Sequence, residues 1–362
     1  MNVSDGMNYA PKGKPQPVVK PGEFVFSAAH LDHGHIYGMC NALTEAGATL
    51  KYVYDPDPQK VEQFLKAYPQ AIPAASEDQI LQDKETQMVA AAHITSERAA
   101  FGCKVMDCGK DYFTDKAPLT TLAQLDMAKA KVSETNKKYM VYYSERLHVE
   151  GAIMAGYLIE QGEIGKVISV SGYGPHRVGN PASRPDWFYQ KAYYGGILCD
   201  IGSHQIEQYL YYAGEKDAKV VSARVGNYAH PDYPELDDFG DCTITGVNGT
   251  SNYFRVDWCN PDGLRTWGDG RIFILGTEGY IEIRKYINVA TPGEVTGNHV
   301  ILVNGKGEQH INATGVTGYP FFGKLILDCL NRTENAMTQE HAFKAAELCV
   351  QAQNAAVDLT GR

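Results

Sequence analysis

The chain has 362 residues, more than one hydrophobic core usually organises, so two domains are expected. Its formal net charge of −10 argues against a nucleic-acid partner, which needs a positive stripe, but not against a small anion in a locally basic pocket. With 44% hydrophobic and 21% charged residues the composition is that of an ordinary folded protein, and no apolar run approaches the length that spans a bilayer.

Residues 1–22 form the first segment, with Lys12, Lys14 and Lys20 among four prolines and no apolar signal-peptide core, which predicts an extended arm. The arm is expected to wrap a neighbouring subunit or cover a cofactor cleft. From residue 23 short apolar runs alternate with helical patterns. Strands are predicted at 23–28, 50–54, 88–92, 111–114 and 139–143. Helices are predicted between them at 35–45, 57–68, 97–108 and 122–136, the third closed by Gly109. This alternation implies a Rossmann-type, doubly wound parallel sheet over residues 23–145.

Beyond it the pattern changes. A helix at 149–161, a strand at 166–173 and a helix at 199–213 lead into paired strands. Residues 241–247 and 250–258 flank Asn248–Gly249, a pair suited to the positive φ of a tight hairpin. Residues 271–275 pair with 280–284, and 300–303 with 308–311. Helices at 321–330 and 339–356 complete an α+β domain over residues 146–362, with a large, mostly antiparallel sheet covered by helices. Strand residues 272–275 are apolar on both alternating sets. Helices would cover one sheet face and a second subunit the other, which predicts a homodimer or homotetramer. The eight cysteines include no C-x-x-C pair and sit mostly in apolar runs, as free thiols of a reducing compartment do; a cytoplasmic protein is expected.

Ligands of a doubly wound sheet lie beyond the carboxyl ends of its strands. Asp55 ends the second strand at the interval of the carboxylate that binds an adenosine ribose, or else is a turn residue before Pro56. An acid there disfavours a 2′-phosphate, so NAD is expected over NADP. The first turn has Ser27 and Ala29 where two fingerprint glycines would stand, and Asp32 in place of the third. A carboxylate about 5 Å from a phosphate charge costs roughly 3 kcal/mol at an effective dielectric near 20. Either Asp32 turns away, or His30 and His33 neutralise it, or the cofactor is held in another manner. The cluster His30, Asp32, His33 and His35 also admits a metal reading, but adjacent residues of one turn seldom converge on one ion, and no metal is expected.

Lys116, after the fourth long strand, can favour negative charge developing on a substrate oxygen. Asp200 and His204 lie four apart on a predicted helix opened by Gly195–Gly196, hence on one face. A carboxylate beside an imidazole can orient it and raise its basicity.

These segments resemble the glucose–fructose oxidoreductase, inositol dehydrogenase and MocA family of oxidoreductases. The resemblance rests on His35 just inside the first helix, the strand-end Asp55, Asp115–Lys116 in the place of E-K-P, and the G-G-x-x-x-D-x-x-x-H element from Gly195 to His204. It implies reversible hydride transfer between a nicotinamide and a sugar, inositol or related polyol. His204 would be the general acid/base, Asp200 its orienting partner, and Lys116 the group polarising the reacting oxygen. The departures fall on the cofactor side: Ser27, Ala29, His30, Asp32 and His33 in the first turn, His93–Ile94 where T-P is common, and Asp115–Lys116–Ala117 for E-K-P. They imply a cofactor held tightly or unusually. Substrate contacts are expected from Tyr143, Glu145, Arg146, His176, Arg177, Arg184 and Trp187, arginines binding hydroxyls or a carboxylate and the indole stacking on a sugar face. The competing readings are an enzyme that retains NAD and uses transient oxidation for glycoside elimination or hydrolysis, a non-catalytic sugar sensor of the same fold, and a metal-dependent hydrolase.

Overall fold

The computed structural model describes residues 9–294 and 296–361, which form two compact units. The first contains the described residues up to 142 together with 318–343, and the second contains residues 143–317 and those from 344 onward. The units therefore interleave along the chain instead of dividing once near residue 145.

The first unit runs β1 (Val25–Ala29), α1 (His35–Glu45), β2 (Thr49–Tyr54), α2 (Pro58–Ala67), β3 (Ile72–Pro73), α3 (Glu77–Gln82), β4 (Met88–Ala91), α4 (Arg98–Asp107), β5 (Asp111–Asp115), α5 (Leu122–Thr135) and β6 (Tyr139–Tyr142). Its six strands lie in the order β3-β2-β1-β4-β5-β6, and every pairing is parallel. Residues of β1, β4, β5 and β6 are buried on both faces, which is why these strands read as unbroken apolar runs. The strand order reverses between β1 and β4, so the carboxyl ends there form the ligand-binding crevice of such sheets. The two-residue β3 is exposed and carries no apolar signal. The sequence reading missed α3, although its Ser76 cap accepts the Gln79 amide at 3.2 Å.

The second unit runs α6 (Ser144–Leu147), α7 (Glu150–Glu160), β7 (Val167–Pro175), α8 (Lys191–Tyr194), α9 (Ile197–Asp200), α10 (Gly202–Ala213), β8 (Ala218–Gly226), β9 (Phe239–Gly246), β10 (Ser251–Asp257), β11 (Arg271–Gly276), β12 (Gly279–Arg284), β13 (His299–Asn304) and β14 (Gly307–Asn312). The chain then returns to the first unit with α11 (Pro320–Asn331), whose Phe321 and Phe322 pack against Phe113 of β5. Next, α12 (Gln339–Ala355) leads back to the second unit and to β15 (Val357–Asp358).

The nine strands of the second sheet lie in the order β14-β13-β12-β11-β7-β10-β9-β8-β15. β7 pairs with β10, and β8 with β15, in parallel; the other pairs are antiparallel. The hairpins were legible, but β7 slots between β10 and β11, a placement set by tertiary packing alone. Helices α7 and α10 cover one face over Ile274, Ile281, Ile283 and Phe254. On the other face Phe273 and Leu275 remain 38% and 41% exposed, with Phe273 stacked on Tyr280.

The described part of the arm lies on its own unit. The Gly13 amide donates to the Glu45 carboxylate of α1 at 3.0 Å, and the Val18 amide to the Ala46 carbonyl at 2.9 Å. Residues 1–8 lie outside the described residues.

Gly195 and Gly196 lead into α9, which ends on Asp200, and α10, which carries His204, where one helix at 199–213 was expected; both glycines adopt positive φ, +85° and +88°. The turn is anchored by Gln353, whose Oε1 accepts the Leu198 amide at 2.9 Å while its Nε2 donates to Asp237 at 3.0 Å. A Cβ on Gly196 would come within 2.1 Å of the Gln353 side chain. Gly196→Ala is therefore expected to lose about 1–3 kcal/mol of stability, read by urea unfolding, whereas Gly305→Ala, which meets nothing, changes little.

Candidate active site

Ala29 ends β1 and Asp55 follows β2, both buried at the carboxyl end of the first sheet, whereas Ser27, expected in the turn, lies in the middle of β1 with its Oγ 2.9 Å from that of Thr86. Asp55 accepts the Leu31 amide at 2.6 Å and the Asp57 amide at 2.9 Å, so it pins the β1–α1 turn as well as ending β2. His30 holds that turn at φ 53°, in the left-handed region. Its ring stacks on His93 with centroids 3.9 Å apart, and its Nε2 meets Glu77 at 2.8 Å. Neither His30 nor His33 is the hydrogen-bonding partner of Asp32. Lys60 of α2 donates to one of its oxygens at 2.6 Å, and His93 Nδ1 meets the other at 2.9 Å. Burial would raise its pKa, but the bonds from His93 and Lys60 outweigh this and hold it at about 2. Asp32 thus stays ionised with its charge compensated. The missing neutraliser was a lysine 28 positions away, indistinguishable in sequence from a solvated helix cation.

Asp115 ends β5, fully buried. Its Oδ1 meets His35 Nδ1 at 2.8 Å and accepts the Lys116 amide at 2.8 Å; its Oδ2 faces Arg98 at 3.3 Å and His33 at 3.4 Å. Burial opposes its ionisation, yet His35, Arg98 and His33 hold the carboxyl far below the usual carboxylate range. Arg98 also donates to the carbonyls of Lys116 and Ala117, bracing the segment that carries the buried Lys116. Arg98, on a helix and wholly buried, was not foreseen.

A dinucleotide fits this crevice in its donor chemistry. Ser27 and Ala29 are small where a dinucleotide fingerprint has glycines, Asp55 offers a buried carboxylate just past β2, and Lys60 supplies a cation beside the first turn. The amides of Leu31 and His33 already donate inside the protein.

Two groups of side chains have metal-ligand composition: His30, Asp32 and His93, and His33, His35 and Asp115. In the first the imidazoles are parallel to within 3°, so their lone pairs cannot converge on one ion, and Lys60 holds Asp32. In the second Arg98 already meets the carboxylate charge.

In the second unit Asp200 and His204 stand four apart on the α9–α10 turn, His204 being buried. Ser203 Oγ donates to the Asp200 carbonyl at 2.7 Å, and Gln208 Nε2 to that of His204 at 2.7 Å. Of the expected substrate contacts, Glu145 and His176 come together, with His176 Nε2 3.8 Å from Glu145 Oε1. Arg146 is occupied by Glu207, at 2.8 Å, and lies over the Tyr211 ring. Arg177 donates to the Leu264 carbonyl at 3.0 Å. Arg184 donates to the carbonyls of Val178 and Arg177, at 2.6 and 2.8 Å, and lies over Phe188 and Trp258. These arginines brace protein segments. Tyr143 is wholly buried and Trp187 partly so. Lys285, which ion-pairs with Glu145 at 2.5 Å, was missed because it reads as a strand-end cation.

A doubly wound unit with a strand-end acid and a post-strand lysine, followed by a large mixed-sheet unit with a helical Asp–His pair, defines the two-unit dinucleotide-dependent oxidoreductase class. Residues 154–282 match the model of the GFO/IDH/MocA C-terminal domain. A crystal structure from Erwinia carotovora atroseptica, named by class as an oxidoreductase, is 50% identical and covers 93% of this chain and 100% of its own, with a TM-score of 0.90. The chain belongs to the GFO/IDH/MocA family.

The scyllo-inositol 2-dehydrogenase (NAD(+)) of Bacillus subtilis is 27% identical over 270 residues, 73% of this chain and 71% of that enzyme. The D-xylose dehydrogenase of Paenarthrobacter nicotinovorans is 28% identical over 131 residues, and the match spans 35% of this chain and only 34% of that enzyme. Levoglucosan dehydrogenase in complex with NADH, 17% identical over 91% of this chain and 96% of its own, shares the fold at a TM-score of 0.75.

Lys60→Met should leave the Asp32 charge with His93 alone against it and weaken dinucleotide binding about 10- to 100-fold by calorimetry. Adding Asp32→Gly to Lys60→Met should restore most of the loss. Equal affinities in all three proteins would remove Asp32 and Lys60 from the phosphate site.

Proposed function

We propose that this protein is a dehydrogenase that moves hydride between NAD and a hydroxyl carbon of a sugar, inositol or related polyol. The observation that carries the reading is the Asp200–His204 pair on a turn locked by Gly195, Gly196 and Gln353. The buried Lys116, held through Arg98, and the strand-end Asp55 support it. His204 takes the hydroxyl proton at its ring nitrogen and Asp200 orients the ring, while the role assigned to Lys116 is to stabilise negative charge on a substrate oxygen. A bound nicotinamide supplies the acceptor for the hydride that leaves the carbinol carbon. The carboxylate of Asp55 favours NAD over NADP, because a 2′-phosphate would meet like charge. The names of the inositol and xylose dehydrogenases support a polyol or sugar as substrate.

The exposed sheet face around Phe273 and Leu275 supports a homodimer or homotetramer. The described cysteines are free, consistent with work in the cytoplasm. No described helix is long and apolar enough to cross a membrane.

The test begins with an absorbance scan of denatured supernatant for carried-over nucleotide, then a titration with NAD and NADH and a polyol screen. Micromolar binding is expected, and His204→Ala should lower kcat by about a hundredfold or more while leaving NAD affinity intact. Failure to bind either form, with no nucleotide carried over, would reject the reading.

A further inference from the structure

Behind the helix that carries His204 lies a buried polar cluster contained within the second unit. Its centre is the Glu145 carboxylate, on the single turn of α6. Lys285, just past the end of β12, donates to Oε2 at 2.5 Å, and both side chains are sealed from solvent. Gln205, the residue after His204, donates to the same oxygen at 3.2 Å. Two positions further on, Glu207 takes the guanidinium of Arg146, the residue after Glu145. Two adjacent residues of α6 thus grip α10 at 205 and 207, one and three positions after His204. The other oxygen, Glu145 Oε1, accepts no hydrogen bond among the described residues and faces the His176 ring at 3.8 Å.

Such an arrangement is costly unless it has a use. Two buried ions lose hydration that their attraction only partly returns, and an apolar pair of like volume would often be as stable. Burial alone would raise the Glu145 pKa, but Lys285, His204 and His176 hold it at about 2. The carboxylate is therefore charged throughout the working range of an imidazole base. Its net field is set by the groups facing it from every packed element: Lys285 beside β12, His204 and Glu207 on α10, His176 after β7, and Arg146 on α6 itself. Arg146 and Glu207 cancel one another. Lys285 sits on Oε2, leaving the Oε1 side as the negative pole.

We propose that Glu145, clamped by Lys285 and Gln205, is a positioning residue that holds the His204 turn in place and presents a fixed negative charge to that imidazole. This rests on His204 being the acid/base. The charge favours the imidazolium formed when His204 takes the substrate proton, so it raises the basicity of the ring beyond what Asp200 supplies. Glu145 is held by Lys285 and Gln205 and faces His176, and its effect falls on kcat and on the pH profile, not on KM.

The experiment compares wild type, Glu145→Gln and Glu145→Asp as full-length protein, with thermal unfolding to confirm folding. Two quantities are read: the midpoint of the His204 ring resonance in an NMR pH titration, assigned with His204→Ala, and the acid limb of kcat/KM for polyol oxidation. Glu145→Gln keeps the shape and removes the charge, so both midpoints should fall by about one pH unit, with KM nearly unchanged. Glu145→Asp keeps the charge and should return both toward wild type. A His204 midpoint that does not move in Glu145→Gln overturns the proposal. If the NMR midpoint moves but His204→Ala retains full activity, the coupling stands and the acid/base reading of His204 fails.

Discussion

The nucleotide-side unit depends on one buried charge, the carboxylate of Asp115 at the end of β5. An isolated carboxylate sealed from water would take up a proton or unfold its surroundings. Here it gathers partners from three elements: His35 at the start of α1, Arg98 at the start of α4, and the backbone of Lys116. Each contact is short and buried, so together they set where the first turn, the β4 crossover and the post-β5 loop stand relative to one another. Lys116 is delivered to the crevice by the protein's need to satisfy this charge.

The sheet unit solves the same problem twice. Arg146 with Glu207, and Lys285 with Glu145, are ion pairs in the interior that join α6 to α10 and to the sheet. Neither pair is an economical way to gain stability. Their value is geometric, because charged groups tolerate little displacement from one another where an apolar contact would permit sliding. Both pairs flank the turn on which His204 stands.

The first turn shows how a family fold absorbs a substitution that local rules would reject. Asp32 stands where the dinucleotide fingerprint has its third glycine, and its charge is answered from α2 by Lys60 and from the loop after β4 by His93. His93 itself replaces a residue type common in the family, and it stacks on His30 of the altered turn. The changes therefore sit in contact as one reorganised cluster, charge for charge, and not as scattered losses.

The parallel sheet, the hairpins and the helix carrying Asp200 and His204 were legible in the chain. Buried strands must be continuously apolar, Asn248–Gly249 accepts a positive φ that few pairs tolerate, and four-residue spacing has one meaning on a helix. Only the tertiary structure decided the rest. Lys60, Arg98 and Lys285 find partners 28, 17 and 140 positions away, and a cation destined for burial looks in sequence like one bound for solvent. The same holds for Arg146, Arg177 and Arg184, which donate to Glu207 and to backbone carbonyls. The insertion of β7 between β10 and β11, and the return of α11 to the first unit, likewise follow from packing between distant segments. The sequence by itself determined the local conformations and the types of group available, because these depend on neighbouring residues; which charge would meet which was settled by long-range burial, where an ion must find its counterpart before water is excluded.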